Sequence, residues 1–214
     1  MRNALAGKLL SKGKMSCTTF KHYGAKTPVA ELSVRYGAGK VMEIELEKTF
    51  LLKNIPAGLE KCKSIEIVDI YIPKSARHPV LRIRKRGDIF EITKKHPLVG
   101  KDSSEQGEYT ISLTKEEFEE LSEIKGKRFR KIRYFYPFGG KRAEIDIYLD
   151  DLEGLGVVDF EFSSRQEKDS FEMPDFCLVD VTQDEIFAGG LLAGKKYSDI
   201  EPFLNKYHYK LTFS

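Results

Sequence analysis

Cysteine is scarce in this chain. Cys17, Cys62 and Cys177 are an odd and widely spaced set among 214 residues. They cannot form a metal cage by themselves, and they read as reduced intracellular thiols or buried small hydrophobes. The four histidines (His22, His78, His96 and His208) show no metal-ligand spacing. No apolar run is long enough to span a membrane. The pattern GxxxxGK[ST] is missing, so Gly139-Gly140 and Gly189-Gly190 are turn signals and not phosphate loops. There is no serine or cysteine nucleophile motif, no repeat and no low-complexity tract. These gaps remove a thiolate metal module, a P-loop enzyme and a covalent serine or cysteine hydrolase.

What is present is charge and aromatic bulk. Lys and Arg number 36 against 33 Asp and Glu, for a net charge of +3, and 14 Phe with 10 Tyr supply a core. The length suits one domain comfortably, or two small ones, and the balance argues against global disorder and a simple DNA-coating role. The charge is unevenly spread. Residues 1–41 hold eight basic residues and one acid, Glu31, whereas 42–214 hold 28 basic and 32 acidic residues. The first segment lacks a sustained period and has no apolar stretch long enough for a signal peptide. A basic arm, a targeting segment and sequence upstream of the true start compete there. Met42 stands directly before the first strong strand, so 1–41 is expected to be a poorly structured extension and 42–214 the folded body.

From Met42 onward, segment after segment alternates apolar and charged residues with period 2, the mark of strands with two unlike faces. Glu43, Glu45, Glu47 and Thr49 share one face of the first strand, and Arg82, Arg84 and Arg86 share one face of another. Glu91, Thr93 and Lys95 fall together, as do Lys131 with Arg133, Glu144 with Asp146, and Asp159 with Glu161. A single such strand reads as half-exposed with a solvated face. As a set, the strands each tend to commit to one sign. Like charges two residues apart repel unless an opposite charge sits between them. Acidic pairs from several strands suit a hard divalent cation such as Mg2+ or Mn2+. Basic pairs suit a polyphosphate, whose oxygens Arg binds bidentately. A site with both is equipped for metal-assisted phosphoryl transfer.

Convergence of those faces calls for a barrel with a polar lumen. Strands near 65–72, 80–86, 89–95, 107–113, 130–136, 142–149 and 156–162 join the first to make eight. Helices are available to cover the outside: a capping box at Thr114–Glu117 before Phe118 and Leu121, a segment capped by Ser163 or Ser164 and stopped by Pro174, residues 183–193, and Ser198 to Tyr207 with Ser198 as N-cap. The fold class is α+β: an eight-stranded antiparallel barrel with helices packed outside.

Taken in order, these motifs resemble those of the CYTH superfamily, the triphosphate tunnel metalloenzymes, which include class IV adenylate cyclases, thiamine triphosphatases, tripolyphosphatases and fungal-type RNA triphosphatases. Glu45-Leu46-Glu47 resembles the start of the ExExK signature. Leu81-Arg82-Ile83-Arg84 resembles LRxR, Glu91 to Lys95 the LTxK strand, and Lys131 to Tyr134 KxRY. Glu144-Ile145-Asp146 resembles ExD, Asp159-Phe160-Glu161 the late ExE, and Asp180-Val181-Thr182 the terminal EVT, while Asp69-Ile70-Tyr71 lies where the family has an aromatic and Asp strand. The resemblance covers nearly all of 42–214. It implies a linear triphosphate held by Arg82, Arg84, Lys95, Lys131 and Arg133. It implies a Mg2+ or Mn2+ ion on Glu45, Glu47, Asp159 and Glu161, with Glu144 and Asp146 as ligands or supports, and Glu45, Glu47, Lys95 and Arg133 as the catalytic set.

Two departures stand out. The lysine position of ExExK is Thr49, and Asp159 replaces a Glu, shortening one arm by a methylene. The expected activity is metal-dependent hydrolysis of inorganic tripolyphosphate or an organic triphosphate. A class IV-type cyclase and a non-catalytic polyphosphate binder are the alternatives. The acidic body argues against broad RNA binding. A cytoplasmic monomer or homodimer, with a small-molecule triphosphate as its partner, is the expected context.

Overall fold

Alternation of apolar and charged residues builds most of the strands, and the helices lie between or after them. The computed structural model describes residues 33–36, 40–97 and 104–212. In chain order the elements are β1 (Ser33–Tyr36), β2 (Lys40–Leu52), β3 (Ser64–Ile72), β4 (Leu81–Arg86), β5 (Ile89–Pro97), β6 (Glu105–Leu113), α1 (Lys115–Ser122), β7 (Lys127–Phe138), β8 (Lys141–Tyr148), β9 (Gly156–Glu161), α2 (Arg165–Asp169), β10 (Cys177–Asp180), α3 (Gly189–Leu192) and α4 (Tyr197–Asn205). Each of the eight strands read from the sequence is present. β1 falls inside the 1–41 segment and pairs with the start of β2, from Ser33 opposite Glu43 to Tyr36 opposite Lys40. The rest of that segment before Lys40 lies outside the described residues.

The sheet runs β2-β6-β5-β4-β3-β7-β8-β9, all antiparallel, and a β2–β9 pairing closes it into an eight-stranded barrel. β2 is long enough to serve two neighbours on each edge. The Glu47 N–H meets the Ser104 carbonyl on the β6 side, while the Leu46 carbonyl accepts from Phe162 N–H on the β9 side. Beyond the end of β6, β10 takes over the same edge, where Val181 N–H donates to the Thr49 carbonyl.

The apolar faces point outward and are covered. Leu46, Phe50, Ile132, Tyr134, Ile145, Val158 and Phe160 form one buried layer. Phe171 packs on it, its ring 4.6 Å from that of Phe160. α1 covers Ile70 and Ile83 with Phe118. Its capping box is formed: Thr114 Oγ1 accepts from Glu117 N–H at 3.1 Å, and Glu117 Oε2 accepts from Thr114 N–H at 2.7 Å. Ser164 caps α2 by accepting from Glu167 N–H.

Two helix boundaries differ from the sequence reading. Ser198 does not cap the last helix. The helix begins at Tyr197, because the Asp199 carboxylate accepts from the Lys196 N–H at 2.8 Å and so moves the cap two residues earlier. Residues 183–193 do not make one helix; extended backbone at Ala188 separates a 3-10 turn at Glu185–Phe187 from α3.

One end of the barrel is filled. Leu51, Tyr71, Phe129, Tyr148 and Val157 occupy lumen positions of five strands and form one buried cluster with Val181, Phe187, Leu192 and Ile200 behind them. Gly189 is required at this seam: a Cβ there would collide with the Tyr71 hydroxyl. The opposite end is wet, with Arg142 and Glu161 exposed.

Candidate active site

Because side chains alternate across a strand, the lumen receives every second residue. It receives Glu45, Glu47 and Thr49 from β2; Asp69 and Tyr71 from β3; Arg82, Arg84 and Arg86 from β4; and Thr93 and Lys95 from β5. It also receives Glu108 from β6, Lys131 and Arg133 from β7, Glu144 and Asp146 from β8, and Asp159 and Glu161 from β9. The structure thus brings every candidate site residue to one surface.

The cations are paired in an ordered way. Arg84 sets Nε and Nη2 on the two Asp69 oxygens at 2.6 and 2.7 Å. Asp69 is fully buried; burial favours its neutral form, but the Arg84 guanidinium outweighs this and holds the carboxyl well below the usual range. Arg133 is the hub of the acidic side. Its Nε and Nη2 reach Asp146 at 2.7 Å each, Nη1 reaches Glu144, and Nη2 also reaches Asp159 at 3.3 Å. Lys131 donates to Asp146 and stands 5.7 Å from the Phe129 ring centre and 5.6 Å from that of Tyr148. The deepest lysine therefore rests on the aromatic floor. Lys95 lies 2.5 Å from Glu45 and 3.4 Å from Glu108.

Arg82 breaks this pattern. It is only 8% exposed, yet it forms no ion pair among the described residues, and its Nε makes no hydrogen bond. Its hydrogen bond is to the neutral Tyr71 hydroxyl, and Asp69 and Glu108 attract it only from beyond ion-pair distance, so it is a buried guanidinium that an added anion would join without displacing a carboxylate.

The carboxylates show the complementary strain. Burial pushes Glu47 up to about 7; nearby Asp159, Glu45 and Glu161 push the same way, and Lys95 only partly offsets them. Burial also raises Asp159 against the pull of Arg133; Glu161, at the open rim, is raised by partial desolvation of its carboxylate and by Glu144 and Glu45. Among the described residues no three Asp, Glu, His or Cys side chains stand close enough to enclose a metal ion as they are. Glu45, Glu144, Asp146 and Asp159 are instead turned onto lumen cations. The donor set of Glu45, Glu47, Asp159 and Glu161 is nonetheless all hard oxygen, and its crowding is of the kind a divalent cation relieves. It fits Mg2+ or Mn2+ in charge and chemistry. Asp146 has both oxygens committed to Lys131 and Arg133, which makes it a support for the cations.

The aromatic floor escaped the sequence reading. Its signal was available: Phe129 stands two residues before Lys131 and Tyr148 two after Asp146, so both share the charged face. The partnership of Asp69 with Arg84 was equally hidden, because nothing in two separate strands gives their register.

The chain is similar to known proteins across most of its length. It is 26% identical to the inorganic triphosphatase of Nitrosomonas europaea over 151 residues, which are 70% of this chain and 96% of that protein. Two solved structures of the protein NE1496, one described as an inorganic triphosphatase, match 71% of this chain. Their TM-scores are 0.53 and 0.54 at 26% identity, covering 95% and 99% of their own chains. No protein-family model matches. These likenesses support a triphosphate-tunnel type of barrel. No helix among the described residues is long and apolar enough to cross a membrane.

Proposed function

We propose that this protein is a metal-dependent triphosphatase of the CYTH, or triphosphate tunnel, type, acting on inorganic tripolyphosphate or a compound with a triphosphate tail. The observation that carries this reading is Arg82, a buried lumen cation in ion-pair contact with no carboxylate among the described residues, in a barrel where Arg84, Arg86, Lys95, Lys131 and Arg133 each have at least one. Similarity to the Nitrosomonas triphosphatase over nearly its whole length supports the substrate. The chain enters from the wet end, since the other is filled by the aromatic floor. Arg82, beside Tyr71 of that floor, binds the phosphate oxygens without giving up a carboxylate. Lys95, Lys131, Arg133 and Arg84 surround the chain with positive charge and neutralise what develops on the transferred phosphoryl group as water attacks it in line. Their carboxylate partners hold them in place beforehand. Glu45, Glu47, Asp159 and Glu161 would hold the divalent cation, which supplies charge neutralisation at the phosphates.

The direct test is release of inorganic phosphate from tripolyphosphate and from ATP with Mg2+ and with Mn2+, alongside an assay for cyclic AMP. Metal-dependent phosphate release from tripolyphosphate is expected. Cyclic AMP with pyrophosphate from ATP, and no release from tripolyphosphate, would replace the triphosphatase by a cyclase.

The acid limb of this activity follows from Glu47. A raised carboxyl binds its proton in the folded state at pH values where the unfolded chain has lost it. Its contribution to stability is therefore full below the unfolded pKa and declines as pH rises through about 7. Metal binding runs the other way, since a ligand carboxylate must be ionised. The half-saturating Mg2+ concentration for turnover is expected to rise as pH falls below about 7. The melting temperature should gain more from Mg2+ at pH 8 than at pH 5.5. A half-saturation flat between these pH values would remove Glu47 from the cation site.

A further inference from the structure

Thr49 stands where the ExExK pattern has lysine, and its side chain is engaged in the lumen. Thr49 and Asp159 are directly opposite in the β2–β9 pairing. The Thr49 hydroxyl donates to Asp159 Oδ1 at 2.9 Å, and the other oxygen, Oδ2, accepts from Arg133 at 3.3 Å. Behind Thr49 the backbone is fastened. Its N–H donates to Thr182 Oγ1 at 3.0 Å, and its carbonyl accepts from Val181 N–H at 2.8 Å. Thr182 is itself set by Asp180, whose Oδ1 accepts from the Thr182 hydroxyl at 2.5 Å and from its N–H at 2.9 Å. A turn at 180–182 thus clamps β2 at the residue that faces Asp159.

The two holds on Asp159 differ in kind. Arg133 has three carboxylate partners, and its contact with Asp159 is the longest. It is the contact most easily given up when the guanidinium turns to a phosphate. The hydroxyl is neutral, so it orients the carboxylate without cancelling its charge. We propose that Thr49 is a positioning residue that holds the Asp159 carboxylate toward the divalent cation while Arg133 is engaged with substrate. The proposal rests on the reading of Asp159 as a cation ligand.

The test compares Thr49→Val, which keeps the shape and loses the donor, with Thr49→Ser, which keeps the donor, and with Asp159→Asn. Mn2+ binding to the substrate-free protein is measured by calorimetry, together with the metal and tripolyphosphate dependence of turnover. Thr49→Val should weaken Mn2+ by about 10-fold, the scale of an outer-shell partner. It should raise half-saturating Mn2+ in turnover to the same extent, with kcat at saturating Mn2+ changed much less. Thr49→Ser should match the parent. Mn2+ binding in Thr49→Val equal to the parent's overturns the proposal, as does a loss in Thr49→Ser as large as in Thr49→Val. If Asp159→Asn leaves Mn2+ affinity unchanged, the reading of Asp159 as a ligand fails, and the proposal falls with it.

Discussion

Arg82→Met is expected to cut kcat/KM for tripolyphosphate by about 100- to 1000-fold, the scale of losing one preorganised donor to a developing anion. The melting temperature should stay level or rise. Both halves follow from the same observation. Arg82 is buried and in no ion pair among the described residues; its hydrogen bond is to the neutral Tyr71 hydroxyl, its register neighbour. Its removal strands no carboxylate, and a methionine stem fills similar space in a poorly solvated wall. Steady-state kinetics with Mg2+ in excess would read the activity, and differential scanning calorimetry the stability. Loss mainly in KM would place Arg82 on the bound chain, and loss mainly in kcat would place it on the transition state. Parental activity in Arg82→Met would remove the central support for the triphosphatase reading.

The comparison of Arg82 with Arg84 shows how far the sequence could be read. Period-2 alternation put both on one face, and the barrel confirms that face as the lumen. Alternation is a local property set by pleat geometry, so it survives translation into structure with little loss. The same holds for the eight strands and for the capping box at Thr114, where the signal lies within four residues. What two equal positions on one strand do is a different matter. Arg84 is opposite Asp69 and Arg82 opposite Tyr71 only because β3 and β4 pair in one register. That register is a long-range fact decided by packing. Thus the basic pair was legible as a pair, while the division of labour within it was not.

The acidic residues repeat the lesson. Glu144-Ile145-Asp146 looks in sequence like Glu45-Leu46-Glu47. In the barrel, Asp146 is spent on Lys131 and Arg133, while Glu47 faces other carboxylates and is raised by burial among them. The Thr182 clamp depends on a segment distant in the chain from the strand it serves, 133 residues from Thr49. No pattern within a strand carries that information.

Arg84→Met should behave in the opposite way to Arg82→Met: it is expected to destabilise the fold by about 3–5 kcal/mol, the usual cost of breaking a buried ion pair by removing one partner. Asp69 is fully buried and loses both of its bonds at once. In the parent, the pair holds Asp69 ionised and its pKa low, so its contribution is complete above the unfolded value of about 3.9 and is lost as pH falls below it. In Arg84→Met the remaining influence on Asp69 is dominated by burial, which raises the pKa. A raised carboxyl stabilises the folded state at low pH and loses that contribution as pH rises. The variant should therefore become relatively more stable between pH 8 and pH 4.5, while this pair gives the parent no such gain. Guanidinium titrations at several pH values would read the two slopes, and their difference isolates Asp69. Adding Asp69→Leu to Arg84→Met should recover most of the loss, because two apolar side chains strand no charge. Equal stability of Arg84→Met and the parent across this range would mean that the buried pair is not the structural support of the lumen, and that Arg84 is as free for phosphate as Arg82.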